Sequence, residues 1–197
     1  MNNPTKVRVN DTLYDINTDF RIAIEVNSIA KDKNIGDYER ALAIIYKLFG
    51  EAGLECKDQN KLLELGMKYL RIQDGEEAEN DNKYNLDFSK CEGLIRSSFK
   101  YDYNYDPYEL DYLHWYDFYN DLANLSGSEF GNCCVLNRVM SIINYDTSKI
   151  KDGKERTKIN NAKKILIKRY CENEEQQLSK EQEESAKRLY KSLGINI

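Results

Sequence analysis

The sequence predicts an all-α protein, a multi-helix bundle with a small N-terminal β-hairpin. Three observations carry that expectation. Apolar residues recur at spacings of three and four through most of the chain, the period of a helix with one buried face. Asp, Ser or Thr stands at the head of most such runs, where a helix N-cap belongs. Strand-type residues around a turn are confined to the first fifteen or so positions.

Val7-Arg8-Val9 and Thr12-Leu13-Tyr14 flank Asn10-Asp11, whose side chains tolerate positive φ, and so predict a hairpin. Thr18 is placed as the cap of a helix running to about Lys33, with Phe20, Ile24 and Ser28 at intervals of four and Ile22, Val26 and Ile29 alongside. Asp37 is placed as the next cap, Ala41, Ile44, Ile45 and Leu48 as the apolar face, and Gly50 as the stop. Asp58 opens a third helix carrying Leu62, Leu65, Tyr69 and Leu70. Short connections let these three pack as a bundle.

Asp74-Gly75-Glu76-Glu77-Ala78-Glu79-Asn80-Asp81-Asn82 then offers little to bury and dense negative charge, the composition of a mobile loop or linker. The chain is accordingly read as residues 1–73 with the hairpin and first helices, 74–86 as an acidic linker or loop, and 87–197 as a C-terminal helical part. A single shared core remains open. Asp87 caps a helix carrying Cys91, Leu94, Ile95 and Ser98 towards Phe99. Tyr101 to Pro107 reads as a polar-aromatic connector, because Pro107 disfavours helical geometry at Asp106. The following helix is expected from about Tyr108 to Leu125, with Tyr112, Trp115, Tyr119 and Leu122 on one face and Leu113, Tyr116 and Phe118 widening it. Leu136, Val139, Met140 and Ile143 mark the next helix, ended by Asn144-Tyr145-Asp146. Another starts near Lys154, with Ile159, Ala162, Ile165, Leu166 and Arg169 turned inward. Ser179-Lys180-Glu181-Gln182 has capping-box form and opens a last helix with Ala186, Leu189, Tyr190 and Leu193.

Composition bounds the function. With 41% hydrophobic and 32% charged residues the chain is that of an ordinary folded protein. No apolar run approaches the roughly 20 residues that cross a bilayer, and the first residues lack a signal-peptide core, so the cytoplasm where the chain is made is expected and a membrane partner is not. Five cysteines (Cys56, Cys91, Cys133, Cys134 and Cys171) lack CxxC spacing and read as buried thiols. The single histidine, His114, stands beside Trp115 and reads as a packed or hydrogen-bonded ring. Gly127-Ser128-Glu129-Phe130-Gly131 lacks the Lys and the preceding strand of a phosphate loop. No catalytic residue, cofactor site or metal site is therefore assigned.

Two stretches carry the remaining information. Ten aromatic residues lie between Phe99 and Tyr119. They mean either core packing or a docking surface, since Tyr and Trp serve both. Trp115 is assigned to the core and Tyr101, Tyr103 and Tyr105 to recognition, with Tyr112, Trp115 and Tyr119 completing the candidate interaction set. From Lys149 to Arg169 there are nine basic and two acidic residues, a local charge of +7 in a chain of net −5. Lys149, Lys151, Lys154, Arg156, Lys158, Lys163, Lys164 and Lys168 form this candidate basic face. A nucleic-acid role would use it. An overall pI of 5.2 and the acidic residues from Glu172 to Glu184 argue for a solvated helix face instead. Basic helix against acidic segment also leaves self-association open.

The order of short motifs adds a resemblance. Tyr14-Asp15-Ile16-Asn17-Thr18-Asp19-Phe20-Arg21 is followed by Asp87-Phe88-Ser89-Lys90 leading to Ser98-Phe99, by Leu113-His114-Trp115, and by Asn144-Tyr145-Asp146 before Ser148-Lys149-Ile150-Lys151-Asp152. This order resembles the bacteriophage family called gene product fifteen, encoded among the tail genes of siphophages of Gram-positive bacteria. Tyr116 stands where relatives often carry a second Trp. The resemblance implies a non-enzymatic phage or prophage tail-assembly protein, a chaperone for the tape-measure protein, with the tail-tube protein as a further partner.

Overall fold

The computed structural model describes residues 3–71, 86–127 and 134–171. Among them are a two-stranded antiparallel hairpin and seven α-helices, the all-α class with a minor hairpin that the sequence predicts. The described residues fall into two compact units, 3–71 with 112–117, and 86–111 with 118–127 and 134–171. The acidic stretch from Asp74 to Asn82, Cys133, the acidic residues after Cys171 and the helix expected from Ser179 lie outside the described residues.

In the first unit β1 (Lys6–Val9) pairs with β2 (Thr12–Asp15) in the register Val9 to Thr12, and Asn10 takes the positive φ of 52° that the tight turn requires. Helix α1 (Phe20–Lys31) is capped by Asp19, whose carboxylate accepts from the Arg21 N–H at 2.9 Å. Thr18, expected as the cap, is instead buried, its hydroxyl 2.6 Å from that of Tyr112 and its carbonyl accepting from the Trp115 N–H. The buried face of α1 is Phe20, Ala23 and Val26, so Ile24 is half-buried and Ser28 is exposed.

Helix α2 (Asp37–Leu54) starts after Gly36, which takes the N-cap position; Asp37 lies in the first turn, where its charge meets the positive end of the helix. Gly50 does not end α2 but breaks it: at φ 64° and ψ −155° it turns the chain, and a short helical stretch resumes to Leu54. That backbone region is open essentially to glycine alone. Helix α3 (Gln59–Leu70) is capped by Asp58, which accepts from the Lys61 N–H at 3.0 Å. Ile44, Ile45, Leu48 and Phe49 of α2 and Leu62, Tyr69 and Leu70 of α3 belong to the buried core. Gly66 lets the two helices approach, since a Cβ there would lie 2.9 Å from Leu48 and 3.1 Å from Phe49.

The second unit begins with an isolated bridge between Leu86 and Cys171. Helix α4 (Phe88–Tyr103) is capped by Asp87 and buries Cys91, Leu94, Ile95, Ser98 and Phe99. It runs through Tyr101 and Tyr103, which were expected in a connector, and ends at Asn104 with φ 59°. A 3-10 turn, Pro107–Glu109, follows. Helix α5 (Trp115–Ala123) begins seven residues later than the sequence suggested, because residues 112–114 leave helical geometry to form the backbone pairing described below. Its residues 115–117 belong to the first unit and 118–123 to the second. Helix α6 (Val135–Asn144) buries Leu136 and Ile143, as their spacing predicts. Helix α7 (Gly153–Tyr170) is capped by Asp152 and has no buried residue; Ile165, expected inward, is 65% exposed, and Ala162 and Arg169 are exposed too. Ile159 and Leu166 are half-buried, so the inward side is narrower than the apolar count implied.

Candidate interaction surfaces

Residues 112–117 reach their position through main-chain bonds. The Phe20 N–H donates to the Leu113 carbonyl at 3.0 Å, the Trp115 N–H donates to the Thr18 carbonyl at 2.7 Å, and Asp19 and His114 form a bridge. The indole of Trp115 is 3% exposed and donates its N–H to the Leu70 carbonyl at 3.1 Å. A buried indole needs such an acceptor, and this one closes the C-terminal end of α3. His114 is also buried. Its Nδ1 accepts from the Tyr116 N–H at 3.0 Å, which assigns the ring proton to Nε2, 3.3 Å from the Pro4 carbonyl. It therefore serves as a side-chain cap for α5.

Tyr69 packs between these groups, stacked on Tyr116 with ring centres 5.1 Å apart and edge-on to His114 at 6.3 Å. Tyr116 donates its hydroxyl to the Tyr69 carbonyl at 3.2 Å. The Tyr69 hydroxyl itself is buried without a hydrogen-bond partner. Burial pushes its pKa up, and Tyr116, Tyr112 and Asp117 add to the rise.

In the second unit the aromatic rings centre on Phe99, which stacks on Phe118 at 5.5 Å and meets Tyr103 and Tyr105 edge-on at 5.6 Å each. The polar tips are tied down: Tyr103 donates to the Asp121 carbonyl at 2.8 Å and Tyr105 to the Asp121 carboxylate. Below them Asp106, its side chain fully buried, accepts from Arg96 at 2.7 Å, lies 3.0 Å from the Lys100 ammonium and caps the 3-10 turn through the Tyr108 N–H. Burial alone would raise the Asp106 pKa, but the bonds from Arg96, Lys100 and Tyr108 outweigh it and hold the carboxyl below the ordinary range.

The six candidate recognition residues thus separate. Tyr101 is 63% exposed on the last turn of α4 and Tyr112 is 54% exposed in the first unit. Tyr103, Tyr105 and Tyr119 are half-buried, and Trp115 lies in the core. Tyr112 and Trp115 belong to the first unit and the other four to the second. Asp106 was missed by the sequence reading, although Asp followed by Pro at the first helical position is a capping signal. The orphan hydroxyl of Tyr69 had no signal at all, since its position in the repeat is that of any core residue.

The basic residues also divide. Arg156 donates to the Ile150 carbonyl at 3.1 Å and Lys163 to the Tyr145 carbonyl at 2.7 Å, so these two close the loop before α7. Lys149 sits 4.0 Å from Asp146. Lys151, Lys154, Lys158, Lys164 and Lys168 are exposed and make no ion pair among the described residues. Cys56, Cys91, Cys134 and Cys171 are buried; burial pushes the Cys91 thiol up to about 12. Among the described residues no group of three His, Cys, Asp or Glu side chains is placed to hold a metal ion, and no helix is long and apolar enough to cross a membrane.

Comparisons with curated proteins and with solved structures give no match. A family model, described as Bacteriophage Gp15 protein, matches residues 1–168, which include the aromatic segment and all but the last residue of the basic one. The chain belongs to the bacteriophage Gp15 protein family and is thus a phage protein.

Proposed function

We propose that the chain is a non-enzymatic tail-assembly protein that acts in the host cytoplasm as a chaperone for the tape-measure protein. The observation that carries this reading is the family match over residues 1–168, joined to the tail-gene setting that the motif order implies. The chemistry of the surface supports it. Exposed Tyr101 and Tyr112 offer large amphipathic contacts at low entropic cost, and the exposed lysines of α7 offer charge that steers encounter without fixing a permanent complex. The mechanism is stoichiometric: the chaperone shields an elongated, aggregation-prone helical partner and yields it as tail-tube subunits polymerise, so medium-strength, exchangeable contacts suit the task.

Co-expression with the tape-measure protein of the same phage tests the reading. Co-purification of the two, with the tape-measure protein soluble only when this chain is present, is the expected result. Equal solubility with and without the chain would sink it. The competing nucleic-acid reading would use Lys154, Lys158, Lys164 and Lys168. Retention on a defined duplex at physiological salt, with discrimination between sequences, would replace the chaperone reading with that one.

A further inference from the structure

Helix α7 packs against α6 and α4, and its half-buried residues, among them Ile159, Lys163, Leu166, Ile167 and Tyr170, lie along one side. Along the other side Lys154, Lys158, Asn161, Ile165 and Lys168 follow one another at spacings of four, three, four and three, and all five are exposed. That alternation keeps successive side chains on one line of the helix surface, which is the seam along which a second helix packs. From Lys154 to Lys168 the seam runs about 21 Å at the rise of an α-helix. Two observations give it a chemistry. Lys154, Lys158 and Lys168 make no ion pair among the described residues, whereas Lys47, Lys61, Arg96 and Lys100 each meet a carboxylate. Between these lysines stands Ile165, which at 65% is the most exposed large aliphatic side chain among the described residues. Glu155, the one acidic residue of α7, lies in the first turn and off this line.

We infer that this seam docks an acidic amphipathic helix of a partner protein, one that sets carboxylates against Lys154, Lys158 and Lys168 and an apolar side chain against Ile165. Charge complementarity selects the sign of the partner, and the isoleucine selects its class. A phosphate backbone would neutralise the lysines but leave Ile165 in water. A second copy laying its own α7 along the seam would set lysine against lysine in either direction, which is repulsive. An acidic helix satisfies both features at once. Its carboxylates steer the encounter and fix the register, and the contact with Ile165 supplies apolar burial. The seam belongs to α7 and stands or falls apart from the tape-measure reading.

The test is fluorescence anisotropy of the full chain with labelled helical peptides of the same length as α7. The first peptide carries Glu and Leu on a complementary seam. The second replaces its Leu by Ser and keeps the charge, the third replaces its Glu by Lys and keeps the Leu, and a labelled DNA duplex is the fourth probe. The Glu/Leu peptide should bind with an affinity that falls as salt rises, and the Ser peptide at least roughly tenfold more weakly. The Lys peptide and the duplex should not bind at physiological salt. Ile165→Gln should weaken binding about tenfold, the scale of burying part of an aliphatic side chain. Its melting temperature should be unchanged or higher, since Ile165 is exposed and Gln is the better helix former. Lys154→Glu, Lys158→Glu and Lys168→Glu together should reverse the preference towards the Lys peptide. Equal binding of the Leu and Ser peptides would overturn the site by reducing it to a surface for any polyanion. Tighter binding of the duplex would make it a nucleic-acid face instead. A triple variant that still prefers the Glu/Leu peptide would place the docking surface off α7, and a parent dimer that Ile165→Gln dissociates would make the occupant a second copy.

Discussion

The aromatic segment from Phe99 to Tyr119 and the basic segment from Lys149 to Arg169 are each dense in one chemistry, and they are used in opposite ways. In the first, Phe99, Trp115 and Phe118 are buried and the tyrosines around Phe99 are held by hydrogen bonds to Asp121. In the second, a helix of eighteen residues buries none of them and leaves an isoleucine in water. Compositional density alone does not say which side of a surface a segment occupies. Aromatic rings bring enough apolar area to be drawn inward and a polar tip that must then be matched. Lysine stems tolerate the surface and their charges require it.

Truncation of Trp115 is the strongest test of this contrast. Trp115→Ala removes a core indole together with its bond to Leu70 and should cost about 3–5 kcal/mol. Thermal or urea melts read this directly. A variant as stable as the parent would show that the indole is not a core anchor.

Asp106 comes next. Asp106→Ala removes the cap of the 3-10 turn and its pairing with Arg96 and Lys100, whose own charges can turn to water, so the cost should be about 1–3 kcal/mol. The pH dependence follows from the lowered carboxyl pKa. A group whose folded pKa lies below its unfolded value contributes stability above the unfolded pKa and loses it as pH falls through the folded one. The gap between parent and variant should therefore be constant above about pH 5 and narrow below about pH 4. A gap that widens in acid would mean that the carboxyl is not ion-paired.

Tyr103→Phe keeps the ring against Phe99 and deletes the bond to the Asp121 carbonyl, so about 1 kcal/mol is expected in the same melts. The smallest effect belongs to the basic helix. Replacing Lys154, Lys158, Lys164 and Lys168 together by Gln should change stability by no more than about 0.5 kcal/mol per site, with far-UV circular dichroism unchanged. Retention on heparin should fall in the same variant. A cooperative loss of fold would mean that these lysines are ion-paired in solution.

The fold class and most helix heads were legible because caps and periodicity are local. Asp58, Asp87 and Asp152 each stand where the sequence puts a helix start, and Leu136 and Ile143 are buried as their spacing predicts. The errors arose where distant residues compete for the same backbone. Thr18 has the local form of a cap, but its carbonyl and hydroxyl are taken by Trp115 and Tyr112, so Asp19 caps α1 instead. The same pairing pulls residues 112–114 out of the helix that their aromatic repeat suggested. Of the candidate sites, exposed Tyr101, exposed Tyr112 and the α7 lysines were legible from residue type. The orphan hydroxyl of Tyr69 was not, because it exists only once the chain has folded.

That same pairing has a kinetic side. Thr18 and Tyr112 are 94 residues apart in the chain, and Cys91 meets Tyr170 across 79. The hairpin and each helix can form within a few residues of their own sequence, whereas these contacts must close long loops before they return any stability. They should be late events in refolding and early ones in subglobal opening. In hydrogen exchange, the Phe20 and Trp115 amides, bonded across that long loop, should therefore lose protection before the interior amides of α2 and α3.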